Sequence, residues 1–240
     1  HRLFSPDHPL DEKIKASLQK EVVRAFQSPD TYAIEVEVHE GKPYQKLLHW
    51  ADIKNVDLVV VGKKKQSEGS GITSRRLARN LKCSILFVPE VVPAEIRRIV
   101  VPIDFSEHSV KALQLALKIA KSDKEVTVTA LHVIETFNMD NYPGSVAYPQ
   151  YLKTIKEAHK ASYYDMLKAH DINSEKIKLV MIDDPFMSIA GQLERYLSDY
   201  PVDTVIIGAR GHSRFENFLY GSVTEQFVER YDSAPVMVVR

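Results

Sequence analysis

The chain has 240 residues, and its 32 lysines and arginines balance 32 aspartates and glutamates, giving a formal net charge of zero. That balance removes any bulk attraction to nucleic acid or anionic membrane, and the single cysteine, Cys83, excludes an intrachain disulfide. The length suits two domains, because single cores rarely keep growing much past ~250 residues.

In chain order, Leu10, Ile14, Leu18, Val22 and Phe26 form an apolar stripe at helical spacing. "YAIEVEV" (Tyr32–Val38) alternates as a strand does, and "YQKLLHWADI" (Tyr44–Ile53) reads as a helix. "VDLVVVG" (Val56–Gly62) is a short apolar strand ending in glycine. Lys63-Lys64-Lys65, Arg75-Arg76 and Arg97-Arg98 are expected to be solvated, since no aromatic residues interleave with them to stack on bases. "CSILFVPE" is a further strand, with Cys83 expected as a small buried residue before it. "PEVVPAEIRR", with Pro89 and Pro93, reads as a linker, dividing the chain into residues 1–92 and 93–240.

The second half alternates strand and helix more completely. "RRIVVPID" is a strand ending near Asp104, and Ser106 can cap a helix running to about Lys121. "EVTVTALHVIE" is the second strand, followed by a loop containing Pro143, Gly144 and Pro149 and a long helix over about 150–169. "KIKLVMI" is the third strand. Phe186, Ile189, Ala190, Leu193, Tyr196 and Leu197 then fall on one helical face. "VDTVIIG" (Val202–Gly208) is the fourth strand, a helix spans about Val223–Tyr231, and "APVMVVR" closes the half. A β-α-β-α-β-α-β-α-β order is that of a doubly wound, Rossmann-like parallel sheet.

The first half repeats the later part of this order. "VDLVVVG" aligns with "VDTVIIG", and "CSILFVPE" with the closing strand. The fold class expected is therefore two doubly wound, five-stranded-type domains in tandem. The first lacks its N-terminal β-α-β portion, through truncation or because another chain fills the gap.

Gly208, Gly211 and Gly221-Ser222 lie where a strand ends and a helix begins. Glycine lets a backbone approach a ligand closely, and a helix N-terminus favours phosphate. The hydroxyls of Ser222 and Thr224 could add donors. Spacing alone leaves this cradle and a plain turn, with Ser222 as a helix cap, at even standing. No G-x-x-x-x-G-K-[ST] occurs, and Gly69-Ser70-Gly71 lacks the third glycine of a dinucleotide fingerprint.

"VVPIDFSEHSVKALQLALKIA", "ALHVIE" and "VDTVIIGARGHSRFENFLYGSVTEQFVERYDSAPVMVVR" resemble the universal stress protein family over nearly all of residues 97–240. The pattern G-x2-G-x9-G-[ST], complete at Gly208, Gly211, Gly221 and Ser222, resembles the ATP-binding branch of that family. The resemblance implies that Pro102, Asp104 and Val133 face the adenosine part of ATP. It further implies that Ala209 and Arg210, through their backbone, together with Gly211, Gly221, Ser222, Val223 and Thr224, hold ribose and phosphates. Bound polyphosphate usually brings Mg²⁺. Asp104 could equally cap the next helix, and His212 and Arg210 could face solvent or phosphate.

The first half departs from the pattern: Lys65 stands at the second glycine, and the loop is shorter, so a degenerate pairing or regulatory domain is expected there. Family members usually pair through closing strands, so "SILFV" and "PVMVV" could pair within one chain, with a homodimer as the other arrangement. The function expected is nucleotide-dependent conformation or partner binding in a stress response. Slow ATP hydrolysis or self-phosphorylation is the alternative, with Asp104, Glu216 and His212 as the only nearby bases. A structural interaction protein with an empty site is the third reading. No apolar run approaches the ~18 residues of a membrane-spanning helix, and the opening "HRLFSPDHPLDEK" does not read as a signal peptide, so the cytoplasm is expected. The nine histidines show no metal-site spacing, so no dedicated metal site is expected.

Overall fold

The computed structural model describes residues 9–25, 33–63, 72–136, 147–211 and 221–240. Lys64, Lys65, Gly69, Gly71, His212 and Glu216 lie outside the described residues. The chain divides into two compact units, residues 1–50 and 51–240.

The first unit contains helix α1 (Pro9–Ala25) and most of helix α2 (Pro43–Ile53). The stripe expected on α1 is only partly covered, with Ile14 and Val22 half-buried and Leu18 41% exposed. The strand expected over Tyr32–Val38 does not form in its described part, residues 33–38. Its counterpart in the second half is a strand because a neighbouring strand bonds to it. Among the described residues the first half has no counterpart of that neighbour, and an alternating sequence without a ladder partner gains nothing by extending into a strand.

The second unit is built on one seven-stranded sheet in the order β1-β2-β7-β6-β3-β4-β5. Strands β1 (Leu58–Lys63) and β2 (Ser84–Pro89), with helix α3 (Ile72–Asn80) between them, come from the first half. The second half supplies β3 (Arg98–Pro102), α4 (Glu107–Ser122), β4 (Thr127–Val133), α5 (Ala147–Ala169), β5 (Ile177–Ile182), α6 (Ile189–Asp199), β6 (Thr204–Gly208), α7 (Ser222–Arg230) and β7 (Val236–Val239). The α/β, mostly parallel architecture is the one expected. The closing strands of the two halves pair within the chain, β2 running antiparallel to β7 with Ile85 opposite Val238 and Phe87 opposite Val236. That pairing covers two apolar strand edges at once.

Strand β3 lies between β4 and β6, parallel to both. The chain winds from β3 to β4 and β5 on one side and to β6 and β7 on the other. The β3/β6 boundary is therefore the topological switch point, where ligands of such sheets bind beyond the carboxyl ends. Strand β6 is buried at every residue. Its counterpart β1 is a sheet edge, with Leu58 40% and Val60 58% exposed, because among the described residues the first half has no counterpart of β3.

The core beneath β3 and β4 gathers Val101, Val128 and Ala130 of the sheet, Ala112, Leu113 and Ala116 of α4, and Tyr163 and Leu167 of α5. The small residues of α4 recur at three- and four-residue intervals, so the helix lies close to the sheet. Asp203 ties the start of β6 to β3. Its carboxylate accepts from the backbone N–H groups of Arg97 and Arg98 at 2.9 and 2.8 Å and pairs with the Arg98 guanidinium at 2.6 Å. The Arg98 hydrogen bond, ahead of the two backbone donors, holds the Asp203 carboxyl below the usual carboxylate range.

Three local expectations are corrected. Helix α6 begins at Ile189 with Ser188 as its N-cap, the Ser188 hydroxyl accepting from Gly191 N. Phe186 precedes it in a turn fixed by Asp184 Oδ1, which accepts from Phe186 N at 2.9 Å, and the ring is 84% exposed. Lys63, expected to be solvated, is buried. Its Nζ donates to the carbonyl oxygens of Val228 at 2.5 Å, Tyr231 at 2.7 Å and Glu229 at 3.3 Å, at the C-terminal end of α7. A lysine there satisfies carbonyls that the helix itself cannot, and complements its dipole. Cys83 is half-buried rather than buried, and desolvation pushes its thiol up.

Candidate functional site

A cavity of about 620 Å³ opens over the carboxyl ends of β3, β4 and β6, within the range of small-molecule sites. Pro102 and Asp104 reach it from the end of β3, Val133 from the end of β4, and Gly208, Arg210 and Gly211 from beyond β6. Gly221, Ser222, Val223 and Thr224 reach it from the start of α7. Ten of the eleven residues singled out in the sequence thus line one cavity. Ala209 does not: it is fully buried, its N–H donating to Val239 O at 2.8 Å and its carbonyl accepting from Gly221 N at 2.9 Å. Its backbone is committed to the fold.

The glycines differ in what requires them. A Cβ on Gly208 would stand 2.7 Å from the His108 carbonyl carbon and 2.8 Å from Ser109 N, so Gly208 is needed for the close approach of α4. A Cβ on its counterpart Gly62 would have nothing within 4 Å, as among the described residues the first half has no counterpart of α4. A side chain on Gly211 would run into the Asp104 carboxylate. The bare backbone at 211 therefore leaves that carboxylate open toward the cavity. Gly221 is the N-cap of α7 and has no side chain to satisfy the first amides of the helix. Ser222 is its first residue, so the reading of Ser222 as a cap is corrected.

Asp104 is held in place by Ser106, whose N–H and Oγ–H donate to Oδ1 at 3.1 and 2.6 Å. Ser106 itself caps α4 by accepting from Ser109 N. Asp104 therefore supports the cap without being it, and Oδ2 is the oxygen that faces Gly211. Thr224, expected to offer a hydroxyl donor, gives its proton to Gly208 O at 2.9 Å and fixes the start of α7 to the end of β6.

The same cavity is also lined by residues that the sequence did not single out, Phe105, His132 and His159 among them. His132, the residue before Val133, is 5% exposed. Its Nδ1 lies 2.6 Å from Ile103 O, and its Nε2 lies 2.6 Å from Nδ1 of His159 on α5. Phe105 stacks on His132 with ring centroids 4.5 Å apart. Phe105 has φ of +68°, a left-handed backbone rare for a bulky residue and found mostly where surrounding structure enforces it. Burial, ahead of the adjacent His159, pushes the His132 imidazole below its ordinary range. A polar residue inside the apolar strand "ALHVIE" was the available signal, since a buried imidazole must find partners. Among the described residues no cluster of metal-ligating side chains occurs, and no helix is long and apolar enough to cross a membrane.

The family model described as the universal stress protein family matches residues 4–89 and 95–240. The universal stress protein MJ0531 of Methanocaldococcus jannaschii is 24% identical over 144 residues, spanning 60% of this chain and 82% of the relative. Among solved structures, a universal stress protein from Archaeoglobus fulgidus superposes over 99% of this chain and 80% of its own, at 17% identity and a TM-score of 0.57. A functionally unknown protein from Pseudomonas aeruginosa superposes over 98% of this chain and 79% of its own, at 12% identity and a TM-score of 0.65.

Proposed function

This chain belongs to the universal stress protein family, and from that premise we propose that its second half binds ATP and that nucleotide occupancy controls conformation or partner binding. The observation that carries the reading is the Gly211–Asp104 approach inside the cavity. Pro102, Asp104 and Val133 would meet the adenosine, with Asp104 Oδ2 placed to accept from ribose. The N–H groups at the start of α7, with Ser222 Oγ, would meet the phosphates alongside Gly211 and Arg210. Mg²⁺ would accompany the phosphates as their counter-ion.

Residues 1–92 are read as a degenerate domain and residues 93–240 as the complete one, paired through β2 and β7. Lys63 supports this division of labour: at the end of the first copy's glycine strand it holds the helix of the second copy instead of facing a ligand. Arg79 of α3 pairs with Glu225 in the first turn of α7 at 2.6 Å. The first half thus grips the helix whose N-terminus faces the cavity, a route by which occupancy would be felt across the unit.

Mass spectrometry of the denatured protein, with calorimetric titration of ATP, tests the reading. Binding of one ATP per chain, weakened by Gly211→Ala and Gly221→Val, is expected. No binding, or variants matching the parent, would overturn it. Phosphate release abolished by Asp104→Asn would move the protein to the enzyme reading.

A further inference from the structure

The His132–His159 pair fixes its own protons. Ile103 O can only accept, so the 2.6 Å contact requires a proton on His132 Nδ1. A second proton would make His132 a cation at a site only 5% exposed, so its Nε2 carries a lone pair. The 2.6 Å contact to His159 then requires the proton on His159 Nδ1. When neutral, His159 must therefore hold a lone pair on Nε2, the remaining polar atom of a ring that lines the cavity. The reverse arrangement, with His132 donating from both nitrogens, would place a cation at a site 5% exposed.

We propose that His159 is the base-specificity residue of the site: locked by His132 as an acceptor, its Nε2 takes a hydrogen bond from the exocyclic amino group of adenine. The inference rests on the nucleotide-binding reading above and deepens it. Three observations converge on this wall. Phe105 stacks on His132 and lies 6.2 Å from His159 between ring centroids, giving an apolar and aromatic surface suited to a purine face. Val133, implied as an adenosine contact, adjoins His132 on β4. The phosphate-side groups, Gly211 and the start of α7, come from beyond β6 and leave this wall for the base. A purine that offers no donor at its 6-position would leave the His159 lone pair without the partner that adenine supplies.

Besides the two histidines, the charged residues that line the cavity are Asp104 after β3, Glu135 after β4 and Arg210 after β6, and Lys156 on α5 is paired with Asp183 after β5 at 2.6 Å.

The test compares ATP with purine riboside triphosphate, which carries hydrogen in place of the amino group, by calorimetry at pH 8 on the full chain. ATP is expected to bind about 3- to 10-fold more tightly, the range of one net hydrogen bond. His159→Phe should bind both nucleotides equally, and His159→Gln, whose carbonyl can accept, should restore part of the preference. A shift of the His159 Nε2 signal in ¹⁵N spectra on adding ATP, absent with the analogue, reads the contact in the unaltered chain. Equal binding of both nucleotides by the parent, or a preference kept in His159→Phe, would overturn the inference and leave ATP binding standing. Failure of both nucleotides to bind would overturn the two readings together.

Discussion

Gly211 lies so close to Asp104 that a methyl group at position 211 would overlap the Asp104 carboxylate. The carboxylate cannot turn away freely, since Ser106 holds its other oxygen through both N–H and Oγ–H. Gly211→Ala is therefore expected to weaken ATP binding at least ~10-fold, about 1.4 kcal/mol, and to cost about 1–3 kcal/mol of stability through overpacking. Calorimetry and urea unfolding read the two effects, and an unchanged affinity would sever Asp104 from the site.

Gly208 and Gly62 occupy the same place in the repeat but should respond oppositely to alanine. At 208 the new methyl meets the backbone of α4, which has no flexible end to yield, so a loss of about 1–3 kcal/mol or more is expected. At 62 it meets open space, so the change should stay within about 0.5 kcal/mol. Paired denaturant titrations decide this, and equal losses would contradict the packing described.

Lys63→Met should lower the urea midpoint even though it adds apolar surface. The substitution leaves the carbonyls of Val228 and Tyr231 without their lysine donor, a cost of about 1–3 kcal/mol for buried acceptors. If the first half were only loosely associated with α7, the midpoint would not move.

Burial holds the His132 imidazole below its ordinary range. On acidification the unfolded chain takes up a proton at about pH 6.5, while the folded chain still resists. Stability should therefore be full above about pH 6.5 and fall as pH drops through the window down to the lower, folded value. His132→Phe should flatten this limb. Part of the slope should remain, because burial lowers His108 as well. A parent protein equally stable at pH 7.5 and 5 would refute the assignment.

Much of the fold was legible in local patterns. Apolar runs closed by glycine gave β1 and β6, and Ser106 marked the start of α4 as its cap. The internal contrast between Gly62 and Gly208 was visible as well, but its meaning was not: both glycines end strands, and only the packing of α4 makes one of them obligatory. The site was legible on its phosphate side, where glycine spacing reports backbone shape. The base side was hidden, because His132 and His159 are 27 residues apart and meet only when α5 lies beside β4.

By itself the sequence determined the alternation of strand and helix, the repeat, and the glycine-lined end of the second copy, all of which follow from side-chain periodicity and local backbone preference. The tertiary structure decided which groups meet. It joined both halves into one sheet through β2 and β7 and took Thr224 Oγ1 for Gly208 O. It also carried Lys63 to the carbonyl of Tyr231, 168 residues away. Such contacts depend on the lateral order of strands, which burial and edge pairing select across the whole chain, and no local stretch of sequence encodes that order.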